Sequence, residues 1–520
     1  MKKSLVILGI IGLYAFFVVG GWIVVPAPAG AQAAKTAATM TPRYGGVLII
    51  GGQEAISLGF PAAMTGTTDG QQASVCLESL FRFNEKADLV PLLATGWKAD
   101  AKAKTIALTL RKGVKFHDGT DFNAKACKWN LDKFRDAKRP EFKSVTSVDE
   151  VDDYTVRLEL AKFDNVILSH LATDPGRMIS PAAFEKNGQA WAEKNPVGTG
   201  PFQFAGWQRY VAIKFKRFEG YWDGKPYLDG IEFRKVTDLV ASIMVFKSGG
   251  MHVISAGAKD TKALEKEGIY NVVVPPEGQV TAFAPNSKDP KSPFADIRVR
   301  QAFSYAIDSA AVTDAFGYGY WKVMNQWAPP GSTAYNPAVV GYPYNPKKAK
   351  ELLAAAGYPN GFKTTLHFYN LSPSYVDEMT VFQRQLKEVG IEATMDPLQR
   401  PKYSEMASQG KGWEGVVRTQ GASKPDTLAY LAQIAGGTEF SDINRPQEFV
   451  DLYGRATSAP DFAMKKKLAQ ELMAMATDKY CLATFLFLQP TPFTKSKKLH
   501  DDLYGVLPNR YISPKAWLSE

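Results

Sequence analysis

A chain of 520 residues, 45% hydrophobic and 22% charged, has the composition of a globular protein too large for one hydrophobic core, so at least two domains are expected. Low-complexity tracts and fixed-period repeats are absent, which excludes solenoids and propellers. The net charge of +10 comes from basic residues scattered among nearly as many acidic ones and gives no sign of a nucleic-acid-binding face.

Lys2 and Lys3 precede an uncharged, mostly apolar stretch from Leu5 to Val25, and the small residues Ala29-Gly30-Ala31 follow. That order is an export signal over residues 1–31, with cleavage expected after Ala31. As a helix the apolar stretch would span roughly 30 Å, so an uncleaved membrane anchor is the alternative. The first cysteine is Cys76, too far away to carry a lipid at the cleavage site. Loss of Lys2 and Lys3 lowers the net charge to +8. Cys76, Cys127 and Cys481 are an odd number in a chain bound for an oxidising compartment, which argues against a disulfide-stapled fold. One bridge stays open, but buried free thiols are the favoured reading. None has metal-ligand spacing.

Residues 32–43 read as a flexible segment, and the mature fold starts with the apolar run Val47-Leu48-Ile49-Ile50 between glycine pairs, a buried strand. Ile106, Leu108 and Leu110 alternate with smaller or polar neighbours, as do Tyr154, Val156, Leu158 and Leu160, giving half-buried strands. Between them Asn123 is an N-cap for a helix burying Cys127, Leu131 and Phe134. Val211 to Phe215 and Ile231 to Phe233 alternate as further strands. Past Pro275-Pro276, Asp296 caps a helix with Val299, Ala302, Phe303, Ala306 and Ile307 on one stripe. A second helix starts at Asn345-Pro346 and stops at Gly357 and Pro359. A helix from about Glu378 to Val389 leads into a strand from Ile391 to Met395, another helix starts at Asp461, and Cys481 to Leu488 reads as a buried strand. This mixture predicts an α/β fold.

Enzyme constellations are missing from the sequence: no nucleophile elbow, no zinc-protease helix, no paired Cys-x-x-Cys, no nucleotide or phosphate loop. The five histidines, His117, His170, His252, His367 and His500, have no metal-ligand spacing. Acid pairs such as Asp152-Asp153 and Asp501-Asp502 are neighbours whose side chains point apart, unlike carboxylates flanking a glycosidic bond. No catalytic residue, metal or cofactor is expected.

Leu110-Arg111-Lys112-Gly113-Val114-Lys115-Phe116-His117-Asp118-Gly119 resembles the signature of the family-five extracellular solute-binding proteins, the peptide and nickel class of ABC receptors. Further blocks follow in the family's order: Asn195 to Phe202, Tyr221 to Gly230, Val299 to Asp308, and Asn345 to Pro359. The resemblance implies a two-lobed periplasmic-binding-protein-like fold of the large class with an extra subdomain and two hinge crossings. On this sequence it implies lobe I at 44–276 with a subdomain inserted at about 60–190, lobe II at 277–487, and a return to lobe I at 488–520. The crossings are expected near Val274 to Gly278 and Thr484 to Pro490. Most signature residues, His117 included, are scaffold.

The match breaks where peptide-binding relatives commonly have an acid before a Pro-Asp pair. Here Pro425-Asp426 follows Arg418 to Lys424, a stretch without a carboxylate, and Gly421 stands at the acidic position. An ammonium group buried there without a counter-charge would cost several kcal/mol. Leu366 to Pro373 also has no arginine of the kind some dipeptide receptors use for the peptide carboxylate. Tyr369, Asn370, Tyr403, Trp413, Arg418 and Gln420, in segments matching the family's ligand-facing loops, are the candidate ligand-binding residues. Arg418 needs a partner, which a ligand carboxylate or an internal Asp or Glu could supply.

The function so implied is the substrate-binding component of an ABC importer: a periplasmic monomer that captures a peptide-like or other small organic, potentially anionic, solute. It would deliver the solute to permease subunits driven by their ATPase. A membrane-anchored solute sensor and a secreted hydrolase are the other classes the chain allows.

Overall fold

Alternating burial makes the strands of this molecule, and three larger sheets collect most of them, with two-stranded pairs at Phe81–Phe83 with Leu89–Pro91 and at Leu499–His500 with Trp517–Leu518. The computed structural model describes residues 41–520 except 371–372, 408, 410–411, 423–424 and 437–439. The expected export segment and most of the flexible segment after it lie outside the described residues.

In lobe I a seven-stranded sheet runs in the order Tyr270–Val273, Phe493–Ser496, Val253–Ser255, Val47–Gly52, Gly230–Lys235, Ala212–Arg217, Phe202–Gln208. Its centre is parallel: Val47–Gly52 pairs in register with Gly230–Lys235 along its whole length. Leu48, Ile50, Ile231 and Phe233 are buried on one face there, while Val47 is exposed and Ile49 half-buried, so the continuous apolar run is covered fully on one face only. The subdomain carries an antiparallel four-stranded sheet, ordered Ala94–Asp100, Thr105–Leu110, Thr155–Leu160, Val145–Asp152. Ile106, Leu108, Val156 and Leu158 point to one face and are fully buried. Helix Ala124–Asp136 covers that face through Cys127, Leu131 and Phe134, and its first turn is closed by the Asn123 carbonyl oxygen of the side chain accepting from the Ala126 amide at 3.1 Å.

Lobe II holds a six-stranded sheet in the order Lys322–Val323, Thr484–Gln489, Gln279–Pro285, Val416–Ala422, Phe362–Tyr369, Ile391–Leu398. Helices pack on both faces. One side buries Phe283, Phe303, Phe382 and Leu486; the other buries Val280, Ala282, Leu431, Phe449 and Leu472. Helix Ile297–Tyr305 is capped by Asp296, and helix Pro346–Ala355 by Asn345, with Gly357 in the left-handed region at φ 93°. The apolar run expected from Cys481 to Leu488 is strand only from Thr484 to Gln489, because Cys481 has φ 45° and turns the chain.

The chain passes between the lobes twice, and the passages lie side by side. Val273 pairs with Phe493 in lobe I, and Gln279 pairs with Gln489 in lobe II, so residues 274–278 and 490–492 run antiparallel. All three cysteines are buried free thiols. Burial pushes Cys76 up to about 12 and Cys481 to about 11, so neither is ionised near neutral pH.

The signature blocks meet in space as one scaffold knot. His117 accepts the Gly198 amide on Nδ1 at 3.3 Å and donates from Nε2 to the Gly200 carbonyl at 2.9 Å. A Cβ on Gly198 would come 2.2 Å from the Cys76 carbonyl oxygen, which is why glycine stands there.

Candidate ligand-binding cleft

Register alone fixes where the parallel strands end. In lobe I the carboxyl ends of Val47–Gly52, Gly230–Lys235 and Val253–Ser255 lie beside Phe493, where the second crossing enters. In lobe II, Ala422 pairs with Gln279, and Phe362–Tyr369 runs parallel to Val416–Ala422, so Tyr369 is at the end of the sheet nearest the crossings. Both sheets therefore present the carboxyl ends of parallel strands to the crossings, the usual place for a ligand in open α/β sheets.

Two cavities lie there. One of about 470 Å³ is lined from every part of the molecule: Thr65 and Gln71 of lobe I, Ser169 and His170 of the subdomain, Pro425 and Asp426 of lobe II, Glu277 to Gln279 and Thr491 at the crossings, and Arg510 of the return segment. The other, about 610 Å³, sits on the lobe I strand ends and is lined by Gly51 to Glu54, Lys235 to Leu239 and Tyr504. Gln71, Thr491 and Arg510 line both cavities, so the two are halves of one cleft.

Asp426 is the most constrained group of the first cavity. Its carboxylate accepts from Ser169 Oγ at 2.7 Å and Lys465 Nζ at 2.6 Å and caps helix Thr427–Ala435 through the Leu428 amide. Burial by itself would raise this carboxyl, but the Lys465 ammonium and these donors hold it below its ordinary value. In the second cavity Glu54 accepts from Trp207 Nε1 at 2.6 Å and stands 3.6 Å from both Arg209 and Lys235. Burial opposes its ionisation, and the donors and cations outweigh it, so Glu54 is also held below its ordinary value.

The structure separates the sequence candidates. Tyr369 and Tyr403 come together, their rings 6.0 Å apart, and the Tyr403 hydroxyl donates to the Arg418 carbonyl at 3.0 Å. The Asn370 amide donates to Leu398 at 3.0 Å, which fixes the same strand end. The side chain of Gln420 lies outside the described residues.

Two of the candidates, Trp413 and Arg418, lie in the interior of lobe II and not in the cleft. Trp413 is buried against Phe440 in the core of lobe II, with its amide donating to Asp442. Arg418 is fully buried, donates to Glu378 at 2.6 Å and lies over the rings of Tyr375 and Phe487. Its partner is the internal carboxylate, because residue 418 shares a sheet face with the helix packed over that sheet and not with the cleft. Gln71, Ser169, Asp426, Thr491 and Arg510 were not singled out as cleft residues from sequence. Only Asp426 had a signal, the Pro-Asp pair.

Residues 88–442 match the sequence profile of the bacterial extracellular solute-binding proteins, family 5, middle part. The chain belongs to this family. It is 34% identical over 349 residues to the glutathione-binding protein GsiB of Escherichia coli K12, covering 65% of this chain and 67% of that protein. The fold matches the ABC transporter substrate-binding protein CtaP of Listeria monocytogenes with a TM-score of 0.82 at 21% identity, over 92% of this chain and all of that one. It also matches a Pseudoalteromonas dipeptide-binding protein in complex with Met-Leu, with a TM-score of 0.74 at 22% identity, over 91% of this chain and all of the other. These relatives are binding proteins. As a family 5 protein the chain is the substrate-binding component of an ABC importer. No helix among the described residues is long and apolar enough to cross a membrane.

Proposed function

We propose that this family 5 protein captures a peptide-like small organic solute in the cleft between its lobes and delivers it to the permease subunits of an importer driven by a separate ATPase. The observation that carries this reading is the first cavity, whose walls come from lobe I, the subdomain, lobe II and both crossings. A solute held there touches every part that moves on closure, so its binding energy favours the closed form. The 34% identity to a glutathione-binding protein supports a solute of tripeptide size.

Lobe boundaries within 274–278 and 490–492, the second a few residues later than the crossing expected at Thr484 to Pro490 because Thr484–Gln489 is a lobe II strand, belong to the same reading, as do export with cleavage after Ala31 and action as a monomer in the periplasm. Tyr369, Asn370 and Tyr403 are the proposed lobe II contacts, supported by their place at the strand ends nearest the crossings. The cleft carboxylates Glu54 and Asp426 are engaged by cations and hydrogen-bond donors, which supports binding without chemistry.

Isothermal titration of the mature protein with glutathione, di- to tetrapeptides and sugars, paired with small-angle scattering to follow closure, tests the proposal. The expected result is one-to-one binding of a peptide-like solute with compaction. Conversion of a bound solute to product by the pure protein, seen by mass spectrometry, would overturn it.

A further inference from the structure

The cleft's charges can be followed one by one. Glu54 is shared by Arg209 and Lys235, Glu141 stands 3.5 Å from Arg139, Asp174 accepts from Arg177 at 2.9 Å, and Asp426 is held by Lys465. Asp238 caps helix Leu239–Lys247 through the Ala241 amide, and Glu277 lines the first cavity beside the crossing. Against these, Arg510 has no carboxylate within ion-pair distance among the described residues.

Arg510 is also held in place. Its guanidinium lies 5.0 Å from the centroid of the Phe493 ring. The Phe493 ring can lie under it because Gly505 has no side chain: a Cβ there would meet the ring at 2.5 Å. Arg510 itself has φ 52°, a left-handed conformation that costs an ordinary residue energy and persists only where the surroundings impose it. Its place is the junction of the two cavities, with Gln71 and Thr491 on either side.

We propose that Arg510 is the anion anchor of this cleft and holds a carboxylate of the transported solute, with Gln71 and Thr491 as flanking polar contacts. The proposal rests on the reading of the cleft as a solute-binding site and narrows it to solutes with a free carboxylate. A planar guanidinium stacked on an aromatic ring has its fork oriented in advance, which suits two parallel hydrogen bonds to a carboxylate. A neutral ester or amide at the same place would leave that fork unanswered.

The test is isothermal titration of the mature wild type, Arg510→Met and Arg510→Lys with glutathione and its diethyl ester, and with di- and tripeptides as free acids and carboxyl-terminal amides. The wild type is expected to prefer acids over their neutral partners by about ten- to a hundredfold, the range of a charge-assisted hydrogen-bonded pair. Arg510→Met should lower the acids to the level of the amides and leave the amides unchanged, with Arg510→Lys between the two. The unchanged amide affinity also shows that the variant is folded. If the wild type binds acids and amides equally, or Arg510→Met weakens both alike or neither, the anchor is overturned while the cleft remains the binding site. If the wild type binds no member, the peptide-like reading fails and the anchor drawn from it fails too.

Discussion

Ser169 donates its hydroxyl to Asp426 across 2.7 Å, although the two are 257 residues apart and stand on opposite sides of the cleft. A second tie lies close by in the chain: the Asn165 side-chain amide donates to the carbonyls of Ala456 and Ala459, both at 3.0 Å, and the Asn165 backbone amide to Thr457. Subdomain and lobe II are thus joined by hydrogen bonds across the cleft.

Ser169→Ala should weaken solute binding about ten- to a hundredfold, since a hydrogen bond to a charged group such as the Asp426 carboxylate contributes about 1.5–3 kcal/mol. The loss should appear in the dissociation rate, because the contact forms after the solute has entered. Stopped-flow tryptophan fluorescence checks this; an unchanged dissociation rate would exclude Ser169 from closure.

Arg418 and Glu378 form an ion pair with both side chains essentially without solvent contact. Burial raises the Glu378 carboxyl, and Arg418 counters it. Removing one member leaves an uncompensated buried charge, so Arg418→Met is expected to cost about 3–5 kcal/mol of stability in urea unfolding. The double variant Arg418→Met with Glu378→Met should recover most of that loss, while surviving folded protein of either kind keeps its solute preference. A selective loss of anionic solutes in Arg418→Met would return this residue to the cleft.

How much of this was legible depended on range. Caps and strands such as Asn123, Asn345 and Thr105–Leu110 are written locally, by a side chain three residues from its amide or by a period of two, and the structure places them where the pattern does. Family and fold were legible because the signature blocks carry glycines and a histidine with few alternatives at their contacts, as Gly198 against Cys76 shows. The cleft was less legible. Arg418 and Arg510 look alike in sequence, and what separates them is Glu378 in one case and, among the described residues, no such acid in the other. Those partners are set by which face of a sheet a residue takes and by where the carboxyl-terminal segment returns.

The missing acid of the peptide-binding pattern has a packing reason. A Cβ on Gly421 would lie 2.1 Å from the Tyr430 hydroxyl, so the tyrosine occupies the space an aspartate would need. Gly421→Asp alone should therefore destabilise by about 1–3 kcal/mol through overpacking. In combination with Tyr430→Ala the cost should be less than additive, with a coupling of at least 0.5 kcal/mol in a double-mutant cycle of urea unfolding. Additive losses would mean that Tyr430 does not set the residue at 421.

The last expectation concerns two buried groups that flank Gly198-Thr199-Gly200 and titrate in opposite senses. Burial pushes His117 down to about 4; its Nδ1 accepts the Gly198 amide, an arrangement that protonation would break. Burial pushes Glu78 up to about 7, against hydrogen bonds from Trp222, Tyr221 and Thr199. For His117 the unfolded chain takes up a proton first, so its stabilising effect is complete above about 6.5 and is lost as pH falls toward 4. For Glu78 the folded chain keeps the proton longer, so its effect is complete below about 4.5 and is lost as pH rises through 7. Between pH 4.5 and 6.5 the two slopes, each about 1.4 kcal/mol per pH unit at most, oppose one another. His117→Gln should make stability rise on acidification within that window, and Glu78→Gln should make it fall faster than in the wild type. Urea unfolding of the three proteins at pH 4.5, 5.5 and 6.5 measures both slopes. Parallel curves would show that neither group has its proton affinity changed by folding.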